Sequence, residues 1–177
     1  MPPTFEILSY VVYKLGLKNV DIRQVALSNQ NANLTMSVPL LASGGGNFYT
    51  SQLQSLDSEK LYASFSVCSA TLDSFNELFE VEPSFIKVDV EGAEILLLMG
   101  AACFLKNNRP VWLIEVSQST DEDSGKDIYT IMEGYDYSAF VAIDQKFRRK
   151  HPRDNAINIY FFTDKHIEKL MNKGLIV

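Results

Sequence analysis

Phe85-Ile86-Lys87-Val88-Asp89-Val90-Glu91-Gly92-Ala93-Glu94 opens the stretch that decides how this chain folds. Its first six residues are apolar and largely β-branched, interrupted by one lysine and one aspartate, and predict a strand. Glu91-Gly92 supplies a turn. Ile95, Leu96, Leu98, Met99, Ala102, Cys103 and Leu105 then recur at helical spacing and make a broad apolar face. Val111-Trp112-Leu113-Ile114-Glu115-Val116 is a second apolar run, as expected of a strand in a parallel sheet covered by helices on both faces. Strand, helix and strand within about 30 residues form a βαβ unit with a right-handed crossover. The predicted fold is therefore α/β, organised around the strand-turn-helix Phe85 to Leu105, whose carboxylates Asp89, Glu91 and Glu94 mark a ligand-facing edge.

Working outward, Asp127 to Glu133 reads as a helix ended by Gly134, Tyr135 to Ile143 as a strand, and Asn155 to Phe162 as a strand alternating Ile157, Ile159 and Phe161. Asp164 to Lys173 reads as a helix with Asp164 as its cap. The run Lys146-Phe147-Arg148-Arg149-Lys150-His151-Pro152-Arg153 reads as a solvated loop, with docking of an anionic group as the functional alternative and no catalytic role for His151. Upstream, Phe5, Leu8, Val11, Val12 and Leu15 form an amphipathic helical stripe closed by Gly16. Val20 to Leu27 and Leu34 to Val38 read as a hairpin around a turn at Asn29 to Asn33. Leu40 to Ser66, with Gly44-Gly45-Gly46, reads as a long loop that could serve as a substrate lid, and the glycines lack the strand-before, helix-after setting of a phosphate cradle. A short strand spans Ser66 to Leu72, and Asp73 or Ser74 caps a helix Phe75 to Phe79.

With 177 residues the chain fits one domain, since domains usually span about 50 to 250 residues. Hydrophobic residues make up 46% and charged residues 21%, a globular balance. A net charge of −6 argues against a nucleic-acid partner, whose phosphates need Lys and Arg. Cys68 and Cys103 are far apart in sequence and lack a histidine at metal-ligand spacing, so they predict buried, reduced thiols and neither a zinc site nor a disulfide framework. That points to a reducing, cytoplasmic setting. The start of the chain has no basic leader, and the apolar run Ile95 to Leu105 is far short of the roughly 18 residues of a membrane span.

In open α/β sheets ligands bind beyond the carboxyl ends of the strands, which singles out Asp89, Glu91 and Glu115. An acid beside a helix N-terminus is held ionised by free amides, suiting it to bind a hydroxyl, a cation or a hard metal ion more than to act as a strong base. The bland alternative is that Asp89 and Glu91 cap the following helix and Glu94 lies on its solvent face. Glu115 interrupts an apolar strand, where an unpaired buried acid would be costly; it is either a site residue or half of a structural ion pair.

These residues also carry a resemblance. Phe85 to Glu94 followed by Met99-Gly100-Ala101 resembles the signature of FkbM-type S-adenosylmethionine-dependent methyltransferases. Ala26-Leu27-Ser28, Thr71-Leu72-Asp73, Arg109-Pro110 before Leu113-Ile114-Glu115, and Gly134-Tyr135 support it in the same order. The resemblance implies a class I methyltransferase-like, Rossmann-like doubly wound sheet that lacks its first βαβ unit, because the chain opens on a stretch similar to the one that follows the family's ribose-binding acid. It implies S-adenosylmethionine as cofactor, with Ser28 near the adenine and Asp89 facing cofactor or substrate. It implies O-methylation of a hydroxyl on a small-molecule or glycan acceptor, with Asp89, Glu91 and Glu115 lining the site, and, with the cofactor-binding loop missing, a chain that is catalytically incomplete as given. The missing strands imply that Val20 to Leu27 either pairs directly with Phe85 to Val90 or leaves exposed sheet edges that invite a homodimer or aggregation. Two further readings stand beside this one: a non-catalytic remnant acting as an interaction module, and a metal-dependent glycosyl- or phosphoryl-transferring enzyme using Asp89 and Glu91 as ligands.

Overall fold

The computed structural model describes residues 2–39, 62–78, 82–116 and 122–177. The expected βαβ unit is present. β4 (Phe85–Val88) and β5 (Val111–Glu115) run parallel with Phe85 beside Val111 and Val88 beside Ile114. Period-two alternation along these strands sends Val88, Trp112 and Ile114 to one face. There they pack beneath Leu97, Leu98, Phe104 and Leu105 of α2 (Glu94–Met99) and α3 (Ala102–Asn107), and beneath Ile128 and Met132 of α4 (Glu122–Gly134). Phe104 meets Trp112 edge to face with ring centroids 6.1 Å apart. Each such side chain withdrawn from water contributes on the order of 1.5–3 kcal/mol, so this face holds the domain together.

The apolar helical run is one helix in the sequence and two in the molecule, broken at Gly100-Ala101. Gly100 is where the backbone of Ser28 and Asn29 crosses: a Cβ there would lie 2.0 Å from the Ser28 carbonyl oxygen. The second helix starts afresh under a cap from elsewhere in the chain. The Asp73 carboxylate accepts hydrogen bonds from the backbone N–H groups of Cys103 (3.0 Å) and Phe104 (2.8 Å). Asp73 or Ser74 was expected to cap a helix Phe75 to Phe79; both lie within the 3-10 helix Leu72–Leu78, and Asp73 caps α3 instead.

Beyond β5 the sheet continues antiparallel through β8 (Asn158–Phe162), β6 (Ser138–Ile143) and β7 (Lys146–Arg149), in the order β4-β5-β8-β6-β7. Tyr160 and Phe162 of β8 point away from the first core and gather Phe140 and Phe147, with Phe147 5.0 Å from both Tyr160 and Phe162. α5 (Asp164–Asn172) begins against Phe162 through His166, so helices flank both faces and the sheet is doubly wound. The cap of α5 is Thr163, one residue before the expected Asp164, and its backbone N–H donates to His166 Nδ1 at 3.2 Å.

The basic run expected as a loop is a strand followed by a short connection. A two-residue turn with Asp144 and Gln145 both at positive φ folds β7 onto β6. Phe147 then anchors the strand, Arg149 lies over the Phe140 ring, and Arg148 pairs with Asp154 at 2.8 Å. Residues 175–177 bridge to this edge of the sheet at Phe147. Phe147 N–H donates to the Leu175 carbonyl at 2.7 Å, and Val177 N–H donates to the Phe147 carbonyl at 3.0 Å.

The N-terminal part differs most from expectation. α1 (Pro2–Leu15) forms and ends at Gly16 with φ +63°, but Leu8, Val11 and Leu15 of its stripe stay exposed. The expected hairpin is not made. β1 is only Ala26–Leu27, and β3 (Tyr62–Ala70) lies between it and β2 (Ala32–Pro39), parallel to the first and antiparallel to the second. Ser69 Oγ fills the junction, donating to the Gln30 carbonyl at 2.8 Å. β3 also begins at Tyr62, inside the stretch expected as loop; residues 40–61, with the three glycines, lie outside the described residues. Both cysteines are exposed rather than buried: Cys68 faces outward on β3 and Cys103 lies on the outer side of α3. Among the described residues, no helix is long and apolar enough to cross a membrane.

Candidate functional site

Where β4 and β5 run out, the face opposite the core carries charge. Continuing their register by one residue beyond Val88 and Ile114 sets Asp89 beside Glu115. Lys87, two residues before Asp89, shares its face, and the Lys87 ammonium donates to Asp89 Oδ2. This pair keeps the Lys87 ammonium protonated to higher pH than usual, first through its hydrogen bond to Asp89 and further through the charges of Asp89 and Glu115.

The chain then turns sharply. Glu91 and Gly92 both take positive φ, +50° and +96°, and the Ala93 N–H donates to the Val90 carbonyl at 3.3 Å. Gly92 adopts this conformation freely; for Glu91 it costs on the order of 1–2 kcal/mol. Glu94 follows, 4% exposed, and its Oε1 accepts the Gly92 N–H at 3.1 Å. Glu94 was expected on the ligand-facing edge or, in the bland alternative, on the solvent face of the helix; it lies buried inside the turn and braces it.

Glu91 is thereby held among like charges. Its proton affinity is raised, first by partial desolvation and then by the carboxylates of Asp89, Glu115 and Glu94. Desolvation and carboxylate repulsion thus shift Glu91 in the direction opposite to that expected of an acid beside a helix N-terminus. Because the Glu91 side chain remains in contact with water, the shift tunes its titration and contributes little to stability. Chemically, the group offers an ammonium, two acids suited to accepting hydrogen bonds, and one carboxylate with enhanced appetite for a proton.

The structure thus brings Asp89, Glu91 and Glu115 together, with Glu94 beside them, and adds Lys87, which sequence reasoning had not placed in the site. Lys87 was findable, since strand alternation alone puts residues 87 and 89 on one face; burial of Glu94 had no local signal. Ser28 is elsewhere. It is buried, its N–H donates to the Ala70 carbonyl at 2.9 Å and its hydroxyl donates to Asn29 Oδ1 at 3.3 Å. Its carbonyl abuts Gly100 at the C-terminal end of α2, whereas the acids cluster at the N-terminal end, roughly 9 Å away along a six-residue helix. Among the described residues, no group of three or more His, Cys, Asp or Glu is arranged to hold a metal ion.

Residues 2–139, which include the whole of this acidic turn, match the methyltransferase FkbM domain. The chain belongs to the FkbM methyltransferase family. The match runs from α1 through α4 and ends within β6, so the basic strand β7 and the terminal helix α5 of this FkbM chain lie outside it. Among solved structures, the methyltransferase FkbM of Methylobacillus flagellatus KT aligns over 89% of this chain with 16% sequence identity and a TM-score of 0.49. The alignment spans 33% of that protein, so this FkbM chain corresponds to about a third of its length. No curated protein matches the chain.

Proposed function

We propose that the chain takes part in S-adenosylmethionine-dependent methyl transfer, O-methylating a hydroxyl of a small-molecule or glycan acceptor in the cytoplasm. Family membership supports the reaction class. The observation that carries the site assignment is Glu91, held in a left-handed turn with raised proton affinity, between acids at the carboxyl ends of two parallel strands. A carboxylate of raised proton affinity is better matched to taking the proton of an acceptor hydroxyl than an ordinary one. Glu91 is the proton acceptor in this reading. Asp89, steadied by Lys87, orients the hydroxyl, and Glu115 helps to keep the proton affinity of Glu91 high.

The residues present fit the cofactor in part. Asp89 and Glu115 offer acceptors for its hydroxyl and ammonium groups, and a cluster of carboxylates with one ammonium favours a cation. Ser28, buried and bonded to Asn29, presents no free hydroxyl, so the binding roles rest on the carboxylates. When bound, the cofactor supplies a methyl group on a cationic sulfonium, and the contribution of the protein is to hold acceptor and donor in line. The two free thiols, Cys68 and Cys103, suit a reducing compartment.

Calorimetric titration with S-adenosylhomocysteine tests the cofactor: weak binding by this chain is expected, micromolar binding would show that the loop of the missing βαβ unit is dispensable, and absence of heat even at millimolar ligand would count against the cofactor site. Methyl transfer to candidate hydroxyl acceptors tests the chemistry. E91Q should lower the rate by about 10²–10⁴-fold and abolish the rise of rate with pH as Glu91 deprotonates. An E91Q enzyme with an unchanged pH profile would remove Glu91 from the reaction.

A further inference from the structure

No side chain of α5 is fully buried, and at nine residues the helix is too short to hold itself together in water. Its attachment therefore leans on its first turn. There Thr163 and His166 form a reciprocal cap: the Thr163 N–H donates to His166 Nδ1 at 3.2 Å, and the Thr163 hydroxyl lies 3.0 Å from the same nitrogen. A backbone N–H can only donate, so Nδ1 is the acceptor and the neutral ring carries its hydrogen on Nε2. The usual residue at this position of such a cap is Glu or Gln, which accept throughout the range in which histidine titrates. Histidine differs, because a second proton converts its acceptor nitrogen into a donor.

We propose that His166 is an acid-sensitive latch: a proton taken up at Nδ1 sets two donors face to face, unfastens the first turn of α5 and loosens residues 164–177 from the sheet. The effect reaches beyond the cap because α5 leads into residues 175–177, which bridge to β7 at Phe147. Thr163 is 6% exposed, so water does not readily replace the lost acceptor. The imidazole also packs edge to face against Phe162, with centroids 6.4 Å apart, which restricts its rotation toward another partner. Its surroundings set the direction. Partial burial, and then the positive charges of Lys169, Arg109 and Lys165, hold the histidine below its ordinary range. Lys165 and Lys169 belong to α5, whereas Arg109 comes from the connection into β5 and pairs with Asp136 at 3.4 Å. The acids of α5, Asp164 and Glu168, are exposed. A histidine with a lowered folded-state pKa contributes stability that is full above the ordinary histidine range and is lost as pH falls toward the lowered value. The latch involves none of the acidic turn and stands independently of methyl transfer.

Hydrogen–deuterium exchange of the full 177-residue chain near neutral pH and at about pH 5, corrected for the intrinsic pH dependence of exchange, tests it. Amides of α5 and of Leu175 and Val177 should lose protection by roughly fivefold in acid, the factor that one N-cap bond is worth, while those of β5 keep theirs. His166→Gln retains an acceptor that does not titrate in this range, so its α5 should stay protected at both pH values. His166→Ala, with no acceptor, should be poorly protected at both. Equal protection of the wild-type helix at the two pH values would overturn the proposal. So would a fall in His166→Gln as large as in wild type, which would assign the sensitivity to another group, or a His166→Ala helix as well protected as wild type at neutral pH. Nitrogen NMR of the imidazole provides a check that does not depend on variants: hydrogen on Nε2 at neutral pH is expected, and hydrogen on Nδ1 there would equally sink the latch.

Discussion

The β4–β5 pair presents two faces that share a backbone and little else. On one, Val88, Trp112 and Ile114 are 2%, 0% and 0% exposed beneath three helices; on the other, Lys87, Asp89 and Glu115 remain in contact with water. Residues one position apart therefore carry different kinds of information. The dry face stabilises by excluding water, and a defect there is felt by the whole domain. The charged face contributes little to stability, so it is free to hold a strained turn and mutually repelling acids. Stability and chemistry should accordingly separate by mutation.

The largest expected effect is on the dry face. Trp112→Ala should cost about 3–5 kcal/mol of unfolding free energy, read as a lower urea midpoint, because it empties the site against which Phe104 packs. Gly100→Ala comes next, at about 1–3 kcal/mol, since its methyl must displace the Ser28 backbone 2.0 Å away. A thermal melt in which this alanine is neutral would mean that α2 and α3 can move apart freely.

The smallest effect, and the one with an opposite sign, belongs to the charged face. The folded state holds a proton on Glu91 more tightly than the unfolded state does. Stability contributed by this group is therefore full below the ordinary carboxylate range and declines as pH rises through the raised titration of Glu91. Glu91→Gln should thus be slightly more stable than wild type at neutral pH, with the gain vanishing in acid. Parallel melts at acid and neutral pH check this, and a variant less stable at neutral pH would show that the Glu91 carboxylate is held by attraction rather than repulsion.

How far each region could be read from sequence follows the same division. Phe85 to Val116 announced its strands, helical turns and acidic edge because every signal there lies within a few residues of its partner. The break at Gly100 did not, because its cause is the Ser28 backbone, brought close by the fold. β7 was hidden by its composition: Asp144-Gln145 is not a usual tight-turn pair, and the pull of Phe147 toward Tyr160 and Phe162 becomes visible only in three dimensions. The hairpin expected upstream failed because Ser69, 39 residues from the Gln30 carbonyl it meets, inserts its own strand between the two.

Taken alone, the sequence determined the α/β class, the parallel β4–β5 unit with its buried and charged faces, and membership of the FkbM family through the acidic stretch after Val88. Each rests on periodicity or on a local motif, which survives any arrangement of the distant chain. The tertiary structure alone decided that Glu94 is buried, that Ser28 and the acids lie at opposite ends of α2, and that Asp73 caps a helix it does not belong to. Those outcomes depend on which surfaces exclude water from one another, a property of neighbours in space that no single segment encodes.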